Sequence, residues 1–299
     1  MGSDERLRRV MSFDGRKRCG DGTFKSYKLP AATRAVMSAF GAFLCCGGCR
    51  AGVIAIFIDG RHVAVYSGGS GGDVLFLHGY LSCKESFYYN IKEFEKTYRV
   101  TAPDFPGFGA SAPLGEAWSV GDYCNWLKKF IAESGLSRPH IIAHSFGARV
   151  AIMLAATCPD CVGDLVITGG AGIVKPRTRT YKRKVAAYRL VKRFAPAFAE
   201  RHFGSAEYRS LSPLMRESYK KIVNEDLIGF AKKIRARTLL VYGKDDTVTP
   251  SGEEGRAFCG AIEGSALEII DGGHFCFAEN HRIFNEKVAA FLSGSGRER

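Results

Sequence analysis

Residues 139–155 read PHIIAHSFGARVAIMLA, and the serine at their centre decides how the rest of the chain is read. Ser145 stands between a short apolar run, residues 140–144 (HIIAH), and a longer alanine-rich run, residues 146–156, that suits a helix. A strand that turns directly into a helix holds its apex residue on a strained backbone and presses strand against helix. The positions two before and two after the apex must therefore be small. Gly147 meets that requirement with no side chain, and Ala143 meets it with a single methyl. The helix that opens beside Ser145 also aims free N–H groups at incoming negative charge.

Working outward, the same alternation repeats. Residues 53–59 (VIAIFID) and 62–66 (HVAVY) read as two strands of a hairpin joined through Gly60-Arg61. Residues 73–77 (DVLFL), 100–102, 164–168, 238–242 (TLLVY) and 266–270 (ALEII) are further strands. Several are apolar on both faces, as in a parallel sheet covered by helices on each side. Residues 118–134 place Val120, Tyr123, Trp126, Leu127, Phe130 and Ile131 on one helical face, and residues 283–292 form a closing helix. About seventy residues interrupt this rhythm between strands 164–168 and 238–242. So long a structureless loop is uncommon in a compact domain, so they read as a helical insertion. One of its helices is expected at residues 183–194, with Val185, Tyr188, Val191 and Phe194 on one side.

The predicted architecture is α/β: a mostly parallel central sheet with helices on both faces, an N-terminal antiparallel hairpin and a helical lid. The expected organisation is a basic N-terminal extension with an apolar segment (1–52), a core (53–173 and 232–293) and a basic lid (174–231).

The net charge of +13 is concentrated. Residues 1–50 net +6, residues 175–221 net +11, and the remainder is mildly acidic. No recognition motif accompanies the charge, so nucleic acid is not an expected partner. The basic lid reads as a solvated face, with an anionic substrate or peripheral contact with an anionic membrane as alternatives. Residues 35–49 (AVMSAFGAFLCCGGC) are apolar but shorter than the roughly 20 residues a spanning helix needs. They are expected to dock as an amphipathic helix or to precede the true start at Met37, with a membrane anchor as the alternative. With no export signal, the ten cysteines point to a reducing cytoplasm. Cys158-Pro-Asp-Cys161 lacks a companion pair and reads as a helix-end turn.

A serine hydroxyl is barely nucleophilic without a base. His274 follows the last strand in a flexible Gly272-Gly273 turn that can swing an imidazole over the sheet edge. The loop after the preceding strand, residues 243–250 (GKDDTVTP), supplies an orienting carboxylate from Asp245 or Asp246. Three candidates on three strand ends say more together than any one alone.

With these residues in hand, the chain resembles the α/β-hydrolase fold superfamily, specifically its capped hydrolases of small substrates, over residues 53–293. His78-Gly79-Tyr80 is similar to the family's oxyanion loop. Residues 104–111 (DFPGFGAS) are similar to its D-x-P-G-x-G-x-S turn. Residues 143–147 are similar to its G-x-S-x-G elbow, except that Ala143 replaces the first glycine. Ser145, Asp246 and His274 follow the family's chain order. The resemblance selects Asp246, three residues after Gly243, over Asp245.

The resemblance implies acyl transfer from a small-molecule substrate, most simply a carboxylic ester, with Ser145 as nucleophile, His274 as base and Asp246 as its orienter. The oxyanion donors are expected to be the backbone N–H of Phe146, next after the nucleophile, and, by resemblance, that of Tyr80. No cofactor or metal is called for. Thioesterase, C–C bond hydrolase and perhydrolase chemistry are alternatives within enzymes. A small-ligand receptor or scaffold on the same fold is the alternative outside them. His78 and Asp104 are expected to shape turns, His144 to pack or hydrogen-bond behind the nucleophile, and Cys276 to belong to the core.

Overall fold

Eight strands form one sheet in the order β1-β2-β4-β3-β5-β6-β7-β8. They are β1 (Gly52–Ile58), β2 (Arg61–Gly68), β3 (Gly72–Leu77), β4 (Tyr98–Pro103), β5 (His140–His144), β6 (Leu165–Thr168), β7 (Thr238–Gly243) and β8 (Ala266–Ile270). The computed structural model describes residues 52–174, 179–195 and 206–294. The expectations placed on the N-terminal extension therefore lie outside the described residues. Strands β1, β2 and β4 pair antiparallel, and every other neighbouring pair is parallel. The opening hairpin turns one residue earlier than the sequence suggests, at Asp59-Gly60, with Ile58 opposite Arg61. Both turn residues have positive φ (49° and 73°), the primed turn geometry whose twist matches the flanking strands.

Alternation along the strands sends successive side chains to opposite faces. Leu75, Leu77, Ile141, Ala143, Leu165, Ile167, Leu240 and Tyr242 enter one core cluster. Val74, Phe76, Ile142, Val166, Leu239 and Val241 enter the other. The first is covered by α2 (Val120–Glu133) and α3 (Phe146–Thr157). The second is covered by α1 (Tyr88–Phe94) and, near the chain end, by helices spanning Cys276–Glu279 and His281–Gly294. Helix α2 starts on a reciprocal capping box: Ser119 Oγ accepts from the Asp122 N–H, and Asp122 accepts from the Ser119 N–H at 2.7 Å. The fold is thus the mostly parallel, doubly covered α/β sheet with an antiparallel edge.

Between β6 and β7 the described chain is helical: α4 (Arg179–Phe194), α5 (Ala206–Ser210), α6 (Pro213–Val223) and α7 (Ile228–Ala231). Helix α4 begins four residues earlier than its apolar spacing suggests. Phe194 does not join Val185, Tyr188 and Val191; it is 77% exposed. An i, i+3 series drifts by about 60° per step around a helix, so its fourth member faces away from its first.

Cys158 and Cys161 stand at the two ends of the short turn Pro159–Cys161 that ends α3, the helix-end turn expected, and their sulfurs are joined as a disulfide. No helix among the described residues is long and apolar enough to cross a membrane.

Candidate active site

The parallel strands all deliver their C-terminal ends to one rim, and the candidate residues stand there. Ser145 adopts φ 49° and ψ −102° between β5 and α3. For a residue with a side chain this backbone is strained, and the surroundings hold it in place. The Ser145 N–H donates to the Thr168 carbonyl at the end of β6 (3.1 Å), and the Gly147 N–H donates to the His78 carbonyl (3.1 Å). A Cβ at Gly147 would overlap the Leu77 carbonyl and lie 2.8 Å from that of His78, so only glycine fits there. Ala143 is completely buried, its methyl accommodated in the core. Ser145 itself is half-buried and open to a substrate.

The acid and base loops are fastened to each other. Lys244 and Asp245 donate backbone N–H groups to the Ile270 and Gly272 carbonyls at 2.8 and 3.0 Å. A side chain at Gly243 would overlap the Gly272 and Gly273 carbonyls. This approach brings His274 Nδ1 to 2.8 Å from Asp246 Oδ2. Asp245 points outward and is exposed. The Asp246 carboxylate also accepts from the Val248 N–H (2.8 Å), the Thr249 N–H (2.9 Å) and the Thr249 hydroxyl (2.8 Å). Burial raises its pKa, but His274 and the Thr249 donors outweigh that effect and hold it below the ordinary carboxylate range. His274 Nδ1 therefore carries the donated proton, leaving Nε2 as an acceptor. Ser145 Oγ stands outside the hydrogen-bonded Asp246–His274 pair. Such contacts are often long before substrate binds.

His144 packs and hydrogen-bonds behind Ser145 as expected, and its partner is the loop that carries His274. Its Nε2 donates to the backbone carbonyl of His274 at 3.0 Å, and its ring lies 4.7 Å from the His274 ring. Burial, reinforced by the neighbouring His274, keeps its pKa well below the ordinary histidine value, so it is neutral. A Cβ on Gly79 would lie 2.7 Å from His144 Nδ1, so glycine there lets the oxyanion loop pass.

The His78-Gly79-Tyr80 turn is fixed by His78, which is fully buried. Its Nδ1 donates to the Gly79 carbonyl (2.8 Å), and its Nε2 accepts from the Phe105 N–H (3.0 Å). Both ring nitrogens are committed, so His78 shapes the turn. Asp104 accepts from the backbone N–H groups of Lys84 (2.7 Å) and Ala110 (2.8 Å) and from Lys84 Nζ (2.9 Å). Lys84 is itself buried, and its ammonium also meets Glu85 at 2.8 Å. Among the described residues the Tyr80 N–H meets no backbone acceptor, and the Phe146 N–H, at the first turn of α3, has no intrahelical one. Cys276 is buried against Thr168, and burial pushes its thiol up to about 11.

Over this rim lies an aromatic cluster that joins core to insertion. The Tyr80 ring meets Phe108, Phe146 and Tyr219, and its hydroxyl donates to the Met215 carbonyl at 3.1 Å. Four more hydrogen bonds tie down α6 and the residues just after it. The Trp118 N–H donates to Ser218 Oγ (3.0 Å), Lys221 Nζ to the Ala117 carbonyl (2.6 Å), and Arg149 Nη1 to the carbonyls of Ile222 (3.0 Å) and Glu225 (3.3 Å). Among the described residues no group of three or more His, Cys, Asp and Glu side chains is spaced to hold a metal ion.

The family model described as alpha/beta hydrolase fold matches residues 73–230, more than half of the chain, and the protein belongs to that family. Among curated relatives it is 24% identical over 261 residues to the dihydrolipoyllysine-residue acetyltransferase component of the acetoin cleaving system of Cupriavidus necator, covering 79% of this chain and 68% of that one. It is 27% identical over 225 residues to a 2-hydroxy-6-oxononadienedioate/2-hydroxy-6-oxononatrienedioate hydrolase of Escherichia coli, covering 67% and 78%. Among solved structures it matches a membrane phospholipase A, described as a bacterial virulence factor, with TM-score 0.68 and 22% identity over 83% of this chain and 87% of that one.

Proposed function

We propose that this protein is a serine hydrolase that cleaves small acyl substrates, carboxylic esters foremost, through Ser145, His274 and Asp246. The observation that carries the reading is the strained Ser145 backbone, at φ 49°, on a strand end next to the loop holding the 2.8 Å Asp246–His274 pair. His274 Nε2 takes the Ser145 hydroxyl proton as Oγ attacks the carbonyl carbon, and Asp246 stabilises the imidazolium. The tetrahedral oxyanion is held by the N–H groups of Phe146 and Tyr80. Collapse releases the alcohol with the proton from His274. Water, deprotonated by the same imidazole, then attacks the acyl-enzyme and frees the acid.

The E. coli relative's name supports a second bond type within the same machinery, cleavage of a C–C bond next to a ketone. Residues 174–231 act in this reading as the cap that selects substrates. The test is labelling with a fluorophosphonate probe, together with turnover of p-nitrophenyl esters graded by chain length. Ser145→Ala is expected to abolish labelling and lower kcat by about 10³-fold or more. Equal labelling of both proteins, or no turnover by the native chain, would overturn the enzyme reading in favour of a ligand-binding role.

A further inference from the structure

Helix α4 has no part in the chemistry above, and its composition is unlike any other element here. Its sixteen residues, RTYKRKVAAYRLVKRF, hold seven Arg or Lys and no Asp or Glu. At about 100° per residue, Arg179, Arg183, Ala186, Ala187, Arg193 and Phe194 fall on one face, and all six are exposed. The partly buried Val185, Tyr188 and Val191 occupy the opposite face. No ion pair among the described residues engages Arg179, Arg183 or Arg193. A helix face with three uncompensated guanidinium groups and no acid within it repels itself. Salt screens part of that repulsion, and a surface of opposite charge relieves it further.

We propose that this face of α4 is a docking surface for an anionic lipid bilayer. Charge complementarity supplies the attraction. Headgroup phosphates accept the planar, multidentate donors of arginine, and each cation near such a surface strengthens binding by about fivefold. Phe194 selects lipid over other polyanions. It ends the helix on the cationic face with 77% of its surface in solvent, and the headgroup–acyl boundary buries such a ring. The phosphate backbone of a nucleic acid duplex offers it no comparable partner.

The test is cosedimentation of the full chain with phosphatidylcholine vesicles, with and without phosphatidylglycerol. It reads binding directly and so does not depend on the proposed catalysis. Binding is expected only to the anionic vesicles and is expected to fall steeply as salt rises from about 0.05 M to about 0.5 M. The triple variant Arg179→Glu/Arg183→Glu/Arg193→Glu is expected to lower partitioning by about 100-fold. Phe194→Ser is expected to lower it by about fivefold. The control Lys96→Glu/Lys129→Glu/Arg256→Glu, an equal charge reversal at exposed sites elsewhere, is expected to keep most of the binding. Melting curves establish that each variant folds. Equal binding to neutral vesicles, no binding to either kind, or an equal loss in the control would overturn the proposal. So would selective capture of duplex RNA by α4 without vesicle binding.

Discussion

At the rim of the sheet the polar groups are buried, paired and aimed, whereas the insertion above them joins the core through buried apolar side chains such as Ile222 and Leu227 and through scattered hydrogen bonds, several of them from side chains to backbone. Asp246 receives four hydrogen bonds while its side chain is sealed from solvent. Ser145 keeps an unfavourable backbone because β6 and the His78 turn both hold the elbow. Helix α6, by contrast, draws its polar ties from the Arg149, Lys221 and Tyr80 side chains and from the Trp118 N–H, bonds that are lost one at a time. A change at the rim should therefore strike turnover, and a change in the ties should strike substrate admission.

Asp246→Asn should break the rim hardest. Asn leaves the shape but reverses the hydrogen-bond demand on His274 Nδ1, so the imidazole is held in the wrong tautomer, and kcat should fall by about 10⁴-fold. The same variant should alter acid stability. The native carboxyl sits below its ordinary pKa, so its stabilisation is fully present above the unfolded value of about 3.9. It is lost as pH falls through the depressed native value. Thermal melts from pH 7 down to pH 2 should show the Asn protein less stable at pH 7 and flatter through the acid range. An identical acid slope in both proteins would count against the paired-carboxylate account.

Arg149→Met tests the other side of the comparison. Arg149 lies one turn into α3 from the nucleophile, where burial pulls its pKa below the usual arginine value. It spends Nη1 on the Ile222 and Glu225 carbonyls at the end of α6. Methionine keeps the buried stem and removes both bonds, at a cost of about 1–3 kcal/mol in stability. KM for bulky esters should rise by about tenfold while kcat for a small ester changes less than about threefold, with faster proteolysis in residues 206–231. If kcat collapsed with KM unchanged, Arg149 would belong to the rim.

These two sites also differ in how far the sequence announces them. Runs such as DVLFL, HIIAH and TLLVY are legible as buried strands because an element apolar on both faces belongs between two layers. Their ends then locate Ser145, Asp246 and His274 without any knowledge of side-chain positions. The choice of Asp246 over Asp245 rests on family resemblance, since two adjacent aspartates carry the same local signal. The partners of His144 and Arg149 are not legible, because both donate to backbone carbonyls, and an acceptor every residue possesses leaves no trace in residue type. The pairs are also 130 and 73 residues apart for His144–His274 and Arg149–Ile222. Lys84 likewise carries no mark of its role in the sequence. Only the folded chain brings its ammonium to the buried Asp104.

The smallest effect concerns the first residue of the elbow frame, and it divides the rim against itself. The two small positions flanking Ser145 are unequal. Gly147 has carbonyl oxygens where a methyl would go, while the Ala143 methyl already sits in the core, on a strand paired to Leu77 and Ile167. Ala143→Gly should therefore relieve nothing. It removes a buried methyl and loosens the unfolded chain, together worth about 1–2 kcal/mol of stability. Ester turnover should stay within about twofold, because the Ser145 backbone is held through Thr168 and His78 and not through the residue two before it. A tenfold gain in kcat for the glycine variant would mean that the Ala143 methyl pushes on the elbow. The nucleophile's strain would then come partly from β5 itself and not only from the strand end and turn that hold it.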